Sequence, residues 1–218
     1  MWSVRTTDLF VSWFNEQDRD MQLDILAALN LLKQDGPHLG RPYVDTVYAS
    51  KIVNMKELRV QSHGRPIRAF FVFDPKRRAI VLCAGNKEGK NEKRFYKTMI
   101  ITAEQEYQKH LSLREKGYKM KTLEDLMADL TPEELVQVND KVVAMRLDSQ
   151  LYKLREALHK TQKQQAEAMG IAQPSVAAIE ARGEDLKIAT LKRYVEALGG
   201  QLTIGVNMPG GQHVDFAL

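Results

Sequence analysis

Basic side chains crowd one stretch of the chain. Lys56, Arg59, Arg65, Arg68, Lys87, Lys90, Lys93 and Arg94 all fall between residues 56 and 94, with Tyr96 just beyond. Guanidinium groups carry forked donors that match phosphate oxygens. Arg59 and Arg68 can therefore converge on one phosphate if they sit on neighbouring strands, with Arg65 as a third member. A lysine surrounded by positive charge has its pKa lowered and becomes a proton acceptor. Lys87 is the first choice for that task, with Lys90 and Lys93 as alternatives. Tyr96 offers an aromatic face and a phenol that can donate a proton. Taken singly, basic side chains on an exposed sheet face are usually solvated surface, so the cluster counts for more than any member.

The second chemical signal is helical. In Gln162-Lys163-Gln164-Gln165-Ala166-Glu167-Ala168-Met169-Gly170-Ile171-Ala172-Gln173-Pro174-Ser175-Val176-Ala177-Ala178-Ile179-Glu180, a small residue stands where two steeply crossing helices must touch. Ala166 is that residue. Gly170 supplies the positive φ of the turn, and Ile171, Val176 and Ile179 pin the second helix onto the first. Pro174 is tolerated in the first turn of that helix. Ala172, at the position before Gln173, has no oxygen with which to cap it.

The elements that would carry these residues differ along the chain. Trp2–Thr6 reads as a strand. Asp8 caps a helix through Phe14, and a second helix runs from Asp20 to Lys33 until Gly36-Pro37 stops it. Met55–Gln61, Ile67–Phe73 and Arg78–Ala84, separated by short turns, predict an antiparallel meander. A last helix near Thr102–Arg114 completes an α+β layer, helices packed on a small antiparallel sheet. His63 falls in a turn, and Cys83 reads as a small buried hydrophobe in a reducing cytoplasm. From Met120 the sequence changes character. Residues 120–149 hold three basic and seven acidic side chains, and Thr131-Pro132-Glu133-Glu134 is a helix start with a capping box. Nearly everything from there to Gly199 is helical in pattern, and Gln201–Val206 alternates like a strand. The expected division is 1–117, an acidic helical linker over 118–149, and an all-α helix-turn-helix domain with a short C-terminal strand over 150–218.

Charge follows the same division. Residues 1–119 carry 21 Lys and Arg against 14 Asp and Glu, whereas residues 120–218 carry 11 against 14. The first module therefore suits a polyanion. No run approaches the roughly 20 apolar residues of a membrane span, and the start lacks a signal peptide's apolar core. A cytoplasmic protein with no membrane partner is expected. No His, Asp or Glu group stands at ligand spacing, so neither metal nor other cofactor is expected.

The series Met55-Lys56-Glu57-Leu58-Arg59-Val60, Gly64-Arg65-Pro66-Ile67-Arg68-Ala69-Phe70-Phe71-Val72-Phe73-Asp74-Pro75 and Ala79–Lys87 resembles the phage-derived Gp49-like branch of HigB toxins, within the RelE/ParE superfamily. The likeness spans nearly all of residues 1–115, including Trp2, the Gly36–Pro42 loop and Arg94-Phe95-Tyr96. It implies metal-independent cleavage of mRNA on the ribosome, with the RNA 2′-hydroxyl as nucleophile. Arg59, Arg68, Lys87 and Tyr96 are then the catalytic candidates, and Lys56, Arg65, Lys90, Lys93 and Arg94 the RNA-binding ones. Residues 162–180 resemble the phage-repressor class of helix-turn-helix, as in HigA-type antitoxins. That likeness implies a recognition helix from about Gln173 to Ala181 in the major groove of operator DNA. Gln173, Pro174, Ser175 and Ala177 would face the bases, and Gln162, Lys163 and Arg182 the phosphates. The implied whole is a toxin fused to its antitoxin, in contact in cis or in trans, dimeric through the Gln201–Val206 strand, and repressing its own operon. Two alternatives are a non-enzymatic regulator with an inactive toxin-like domain and a ParE-type gyrase inhibitor.

Overall fold

A computed structural model describes residues 2–115, 118–180, 186–208 and 213–217, and the chain divides into two compact units, Met1–Met145 and Arg146–Leu218. The first unit is built on a six-stranded sheet. Its strands are β1 (Ser3–Thr6), β2 (Val44–Thr46), β3 (Lys56–Ser62), β4 (Arg65–Asp74), β5 (Arg78–Asn86) and β6 (Lys121–Thr122), in the spatial order β2-β3-β4-β5-β1-β6. The expected meander is present as the antiparallel β3-β4-β5 core. The sheet is mixed, because β1 runs parallel to β5.

Alternation along these strands sends apolar side chains to both faces. Leu58, Val60, Ile67, Ala69, Phe71 and Val81 meet α1 (Asp8–Asn15) and α2 (Arg19–Asp35) in one core. Phe70, Val72, Ile80, Leu82 and Cys83 meet α3 (Glu92–Glu115) in another. A bulge at Phe70/Phe71 pairs Phe70 with Cys83 and Phe71 with Val81, so Leu82 and Cys83 both reach the α3 side. The sheet is thus covered on both faces.

Two helix starts differ from expectation. Thr7 caps α1, its hydroxyl accepting from the Phe10 N–H while donating to the Leu82 carbonyl, and Asp8 is the first helical residue. α3 begins ten residues earlier than its apolar spacing indicated. The Asn91 side chain accepts from the Arg94 N–H, so Lys93, Arg94 and Tyr96 stand on the first turns of a helix and not in a loop. Gly36 takes φ +56° at the end of α2, and a Cβ there would overlap the Trp2 indole, so that glycine both stops the helix and seats Trp2.

The acidic segment packs on the first unit as far as Met145. β6 pairs antiparallel with β1, Thr122 caps α4 (Leu123–Met127) with a capping box, and Thr131 and Glu134 form the expected box at the start of α5 (Pro132–Ala157). Leu123, Val138 and Val142 are buried in the α2-side core. Ion pairs from this segment reach α2, among them Arg19–Glu134 at 2.5 Å, Lys33–Glu124 at 2.5 Å and Lys141–Asp24. Arg19 and the Thr131 N–H hold the Glu134 carboxyl down at about 2.

In the second unit Thr161 caps α6 (Gln162–Met169) in a box with Gln164, and Gly170 turns the chain at φ +66°. α7 (Gln173–Glu180) follows with Pro174 in its first turn, and α8 (Ile188–Ala197) closes the core. Ala166, Val176 and Ile179 are buried together with Leu151, Met169, Tyr194 and Leu198, and Ile171 packs against them, as the spacing requires. Arg155 and Glu180 form a buried ion pair at 2.6 Å, with the Tyr194 hydroxyl also donating to Glu180. The strand expected over Gln201–Val206 is β7 (Thr203–Asn207). It pairs within the chain with β8 (His213–Ala217), a strand the sequence did not announce.

Two outcomes follow from this packing. Leu123→Ala should lower stability by about 2–5 kcal/mol, because it empties an enclosed site. Val136→Ala, at a site 57% exposed, should stay within about 0.5 kcal/mol. Urea unfolding of both variants checks the difference. Arg155→Ala should destabilise the second unit by about 3–5 kcal/mol by stranding Glu180, measured as loss of amide protection over residues 151–198.

Candidate functional site

The register of β3 against β4 places Arg59 directly opposite Arg68. Both lie on the α3 face, which they share with Phe70 and, two positions back on β3, with Glu57. The Nε atoms of Arg59 and Arg68 stand 3.8 Å from the Glu57 Oε1 and Oε2 atoms respectively. The Tyr96 hydroxyl donates to Glu57 Oε2 at 2.8 Å. Glu57 is 6% exposed and Arg68 4%. Arg68 Nη1 donates to the Ile67 carbonyl, while its Nε is buried without a hydrogen-bond partner among the described residues. The two arginines are therefore convergent, and a carboxylate stands between them.

Tyr96 reaches this point from the second turn of α3. Its ring is fixed by edge contacts with Phe70 and Phe95, and Lys87 Nζ lies 5.3 Å from the ring centroid. Burial, together with the hydrogen bond to Glu57, raises the phenol pKa above its ordinary value. The hydroxyl is accordingly a hydrogen-bond donor at neutral pH. Lys87, at the end of β5, pairs with Glu92 and holds that carboxyl below its usual range. Arg59, Arg68, Lys87 and Tyr96 thus share one patch. Glu57 is the member that residue-by-residue reading passed over. The signal was present: residues 57 and 59 of a strand must share a face.

The remaining basic residues divide. Lys90 lies 5.6 Å from the Phe95 ring, and with Arg94 it lines a groove of about 460 Å³ beside the start of α3. Lys93 lines a second groove on the other flank, with Tyr96. Arg65 does not join them. Its parity turns it to the α2 face, where Nη1 donates to Asp18 at 2.7 Å. Lys56 also leaves the patch and donates to Thr46 on β2. His63 occupies the β3–β4 turn at φ +50°, exposed and 3.6 Å from Asp20. Burial pushes the Cys83 thiol up to about 12, so it is no nucleophile. Among the described residues no group of three His, Cys, Asp or Glu side chains could hold a metal ion, and no helix is long and apolar enough to cross a membrane.

On the second unit Gln173, Pro174, Ser175 and Lys163 are exposed at the start of α7 and α6, and Ala177 is half-buried. Arg182 lies outside the described residues, as does the Ala181 end of the expected recognition helix. Gln173 Nε2 donates to Gln162 Oε1 at 3.0 Å, and Gln162 Nε2 donates to Glu180 at 2.9 Å. Burial works to raise the Glu180 pKa, but hydrogen bonds from Arg155, Tyr194 and Gln162 win and lower it. A fixed buried anion thus orients Gln162, and Gln162 orients Gln173. Among the described residues nothing else engages the Gln173 amide, so one of its hydrogens and its oxygen remain for an outside partner.

Known proteins show the same two parts. The family described as phage derived protein Gp49-like matches residues 12–108, and the helix-turn-helix family matches residues 151–204. A protein named toxin HigB2 of Mycobacterium tuberculosis is 44% identical over 102 residues, 46% of this chain and 50% of that one. Toxin HigB3 of the same organism is 44% identical over 105 residues, 48% of this chain and 90% of that one. Antitoxin HigA1, also of M. tuberculosis, is 35% identical over 72 residues, 33% of this chain and 48% of that one. The chain spans about half the length of HigB2 and of HigA1. No solved structure matches it significantly. Over its first unit, therefore, the chain belongs to the Gp49-like family that includes HigB toxins, and it carries a helix-turn-helix region of the kind found in HigA antitoxins on the same polypeptide.

Proposed function

We propose that this chain is a fused toxin and antitoxin of the cytoplasm, its first unit cutting mRNA on the ribosome and its second binding operator DNA. The observation that carries the nuclease reading is the meeting of Arg59, Arg68 and Tyr96 at Glu57. In-line cleavage needs three services: removal of the 2′-hydroxyl proton, stabilisation of charge on phosphorus, and protonation of the departing 5′-oxygen. Arg59 and Arg68 supply the second. The protonated Tyr96 phenol supplies the third. For the first, the geometry favours Glu57 over Lys87, since Glu57 already faces both guanidinium groups while Lys87 is held by Glu92. Lys87, Lys90, Lys93 and Arg94 then bind RNA around this point. Arg65 and Lys56 are on the opposite face and serve the fold.

The acidic segment 120–145 engages α2, whereas the arginines face α3. Its contact is therefore made away from the arginines. We assign neutralisation to exclusion from the ribosome by the attached bulk, in cis or from a partner copy. Exposed edges of the β7–β8 pair support homodimerisation, and a dimer would read a palindrome and repress its own operon.

Residues 1–145 expressed alone should arrest growth and cut ribosome-bound mRNA, and Arg59→Ala or Arg68→Ala should cut at least about a hundredfold more slowly. A folded 1–145 that cuts nothing supports the non-enzymatic alternative, and one that blocks supercoiling instead supports the gyrase alternative. For the second unit, Gln173→Ala should weaken operator binding about tenfold and relax sequence preference at one position. Lys163→Ala should weaken binding to all sequences and reduce the salt slope by about 1. Footprinting and salt titration measure these effects, and the absence of a protected palindrome upstream of the gene would remove autorepression.

A further inference from the structure

The loop from Val47 to Met55 between β2 and β3 is held firmly yet exposes apolar side chains. Its base is closed by the Val47 N–H donating to the Met55 carbonyl at 2.9 Å. Glu104 on α3 accepts from Ser50 Oγ at 2.9 Å and from the Lys51 N–H at 2.7 Å, which ties the loop to the helix. Val47 and Met55 are buried, but Tyr48 is 89% exposed and Val53 84%. A floppy loop could hide such side chains by moving. A pinned one keeps them in water, so a partner would find the Tyr48 ring already presented at little ordering cost.

The setting identifies that partner's chemistry. A groove of about 550 Å³ runs between this loop and α3, lined by Ala49, Lys51, Lys93, Tyr96, Lys97 and Ile101. Tyr48 is not among the lining side chains, but as the chain neighbour of Ala49 it has its backbone beside the groove, on the same pinned loop. Two carboxylates also border the groove, but both are engaged: Glu92 by Lys87, and Glu104 by Ser50 and the Lys51 backbone. The three lysines are exposed and have no carboxylate partner among the described residues. The result is a trough with cationic edges, an apolar floor, an exposed aromatic on the adjoining loop and Tyr96 of the arginine patch at its end. That combination fits single-stranded RNA, whose phosphates take lysines and whose bases take an aromatic face.

We propose that this groove holds the single-stranded RNA flanking the cleaved phosphate, with a base stacked on Tyr48 and phosphates on Lys51, Lys93 and Lys97. The proposal rests on the nuclease reading for its substrate class. It makes Tyr48 a binding residue that sets position along the RNA and takes no part in the chemical step.

The test uses the full chain and a single-stranded RNA oligonucleotide made uncleavable by 2′-O-methylation and carrying one 4-thiouridine. Irradiation followed by digestion and mass spectrometry should place the crosslink on the peptide containing Tyr48. Tyr48→Ala should weaken binding about tenfold, Tyr48→Phe should preserve it, and Lys51→Glu with Lys97→Glu should flatten its salt dependence. Unchanged affinity in Tyr48→Ala overturns the proposal, as does a crosslink confined to the Lys90–Arg94 groove or to residues 146–218, or a chain that binds no RNA. Ribosome-bound mRNA offered to residues 1–145 separates the two readings. Tyr48-dependent RNA binding by the full chain with no cleavage in that assay overturns the nuclease alone, whereas cleavage there that needs Arg68 but ignores Tyr48 overturns the groove alone.

Discussion

His63 and Gly64 join β3 to β4 with both residues at positive φ, the backbone of a type I′ turn. A two-residue turn of this kind fixes register, and in a sheet with both faces covered the register fixes every side chain's destination. With Ser62 opposite Arg65, Arg59 falls opposite Arg68 and both look toward α3. A slip of one residue on either strand would drive a guanidinium into the Leu58–Val60–Ile67 core and send an apolar residue out to meet Tyr96. The geometry of the patch thus rests on a turn that contributes no member to it. Asp18 and Arg65 reinforce it from the other side, pairing the end of the turn with the cap of α2.

Within that register the sheet accepts a costly arrangement. Arg68 and Glu57 are both nearly enclosed, and enclosed charges are tolerated only when paired. Their separation of 3.8 Å is an ion pair without a hydrogen bond, and Arg68 Nε is left with no acceptor. A phosphate oxygen would satisfy that donor while taking over the role of the Glu57 charge. In the proposed reaction the carboxylate would orient the two guanidinium groups and accept the nucleophile's proton once a phosphate takes its place between them.

The sequence disclosed what periodicity controls and missed what tertiary contact controls. The β3-β4-β5 meander, the Gly36 stop and the Ala166–Gly170–Val176 spacing were legible because alternation, positive φ and close approach leave marks in residue type. The convergence of Arg59 and Arg68 was legible for the same reason. Arg65 and Lys56, expected among the RNA-binding residues, stand apart from the patch, because parity and not residue type decides a side chain's face, and parity sends both toward α2. The early start of α3 was hidden because Lys93, Arg94 and Lys97 interrupt its apolar stripe. β8 is short and mostly exposed, so burial left little pattern in it.

Met120 marks a change in composition, but the fold does not break there. Leu123, Val138 and Val142 fill the core under α2, and β6 extends the sheet beyond β1. The first compact unit accordingly runs to Met145, about 25 residues into the sequence that looks like a partner. Were the two parts separate chains, this segment would be a docking element with an affinity and an off-rate. Joined to the sheet by a short connection, it works at an effective concentration that dissociation cannot dilute. Leaving would also expose apolar surface of α2 and break the ion pairs of Arg19, Lys33 and Asp24 on that helix, so release amounts to local unfolding of the first unit. The tether therefore converts what would be a binding equilibrium into a folding one. Any regulation of the arginine patch has to act through something other than loss of this segment.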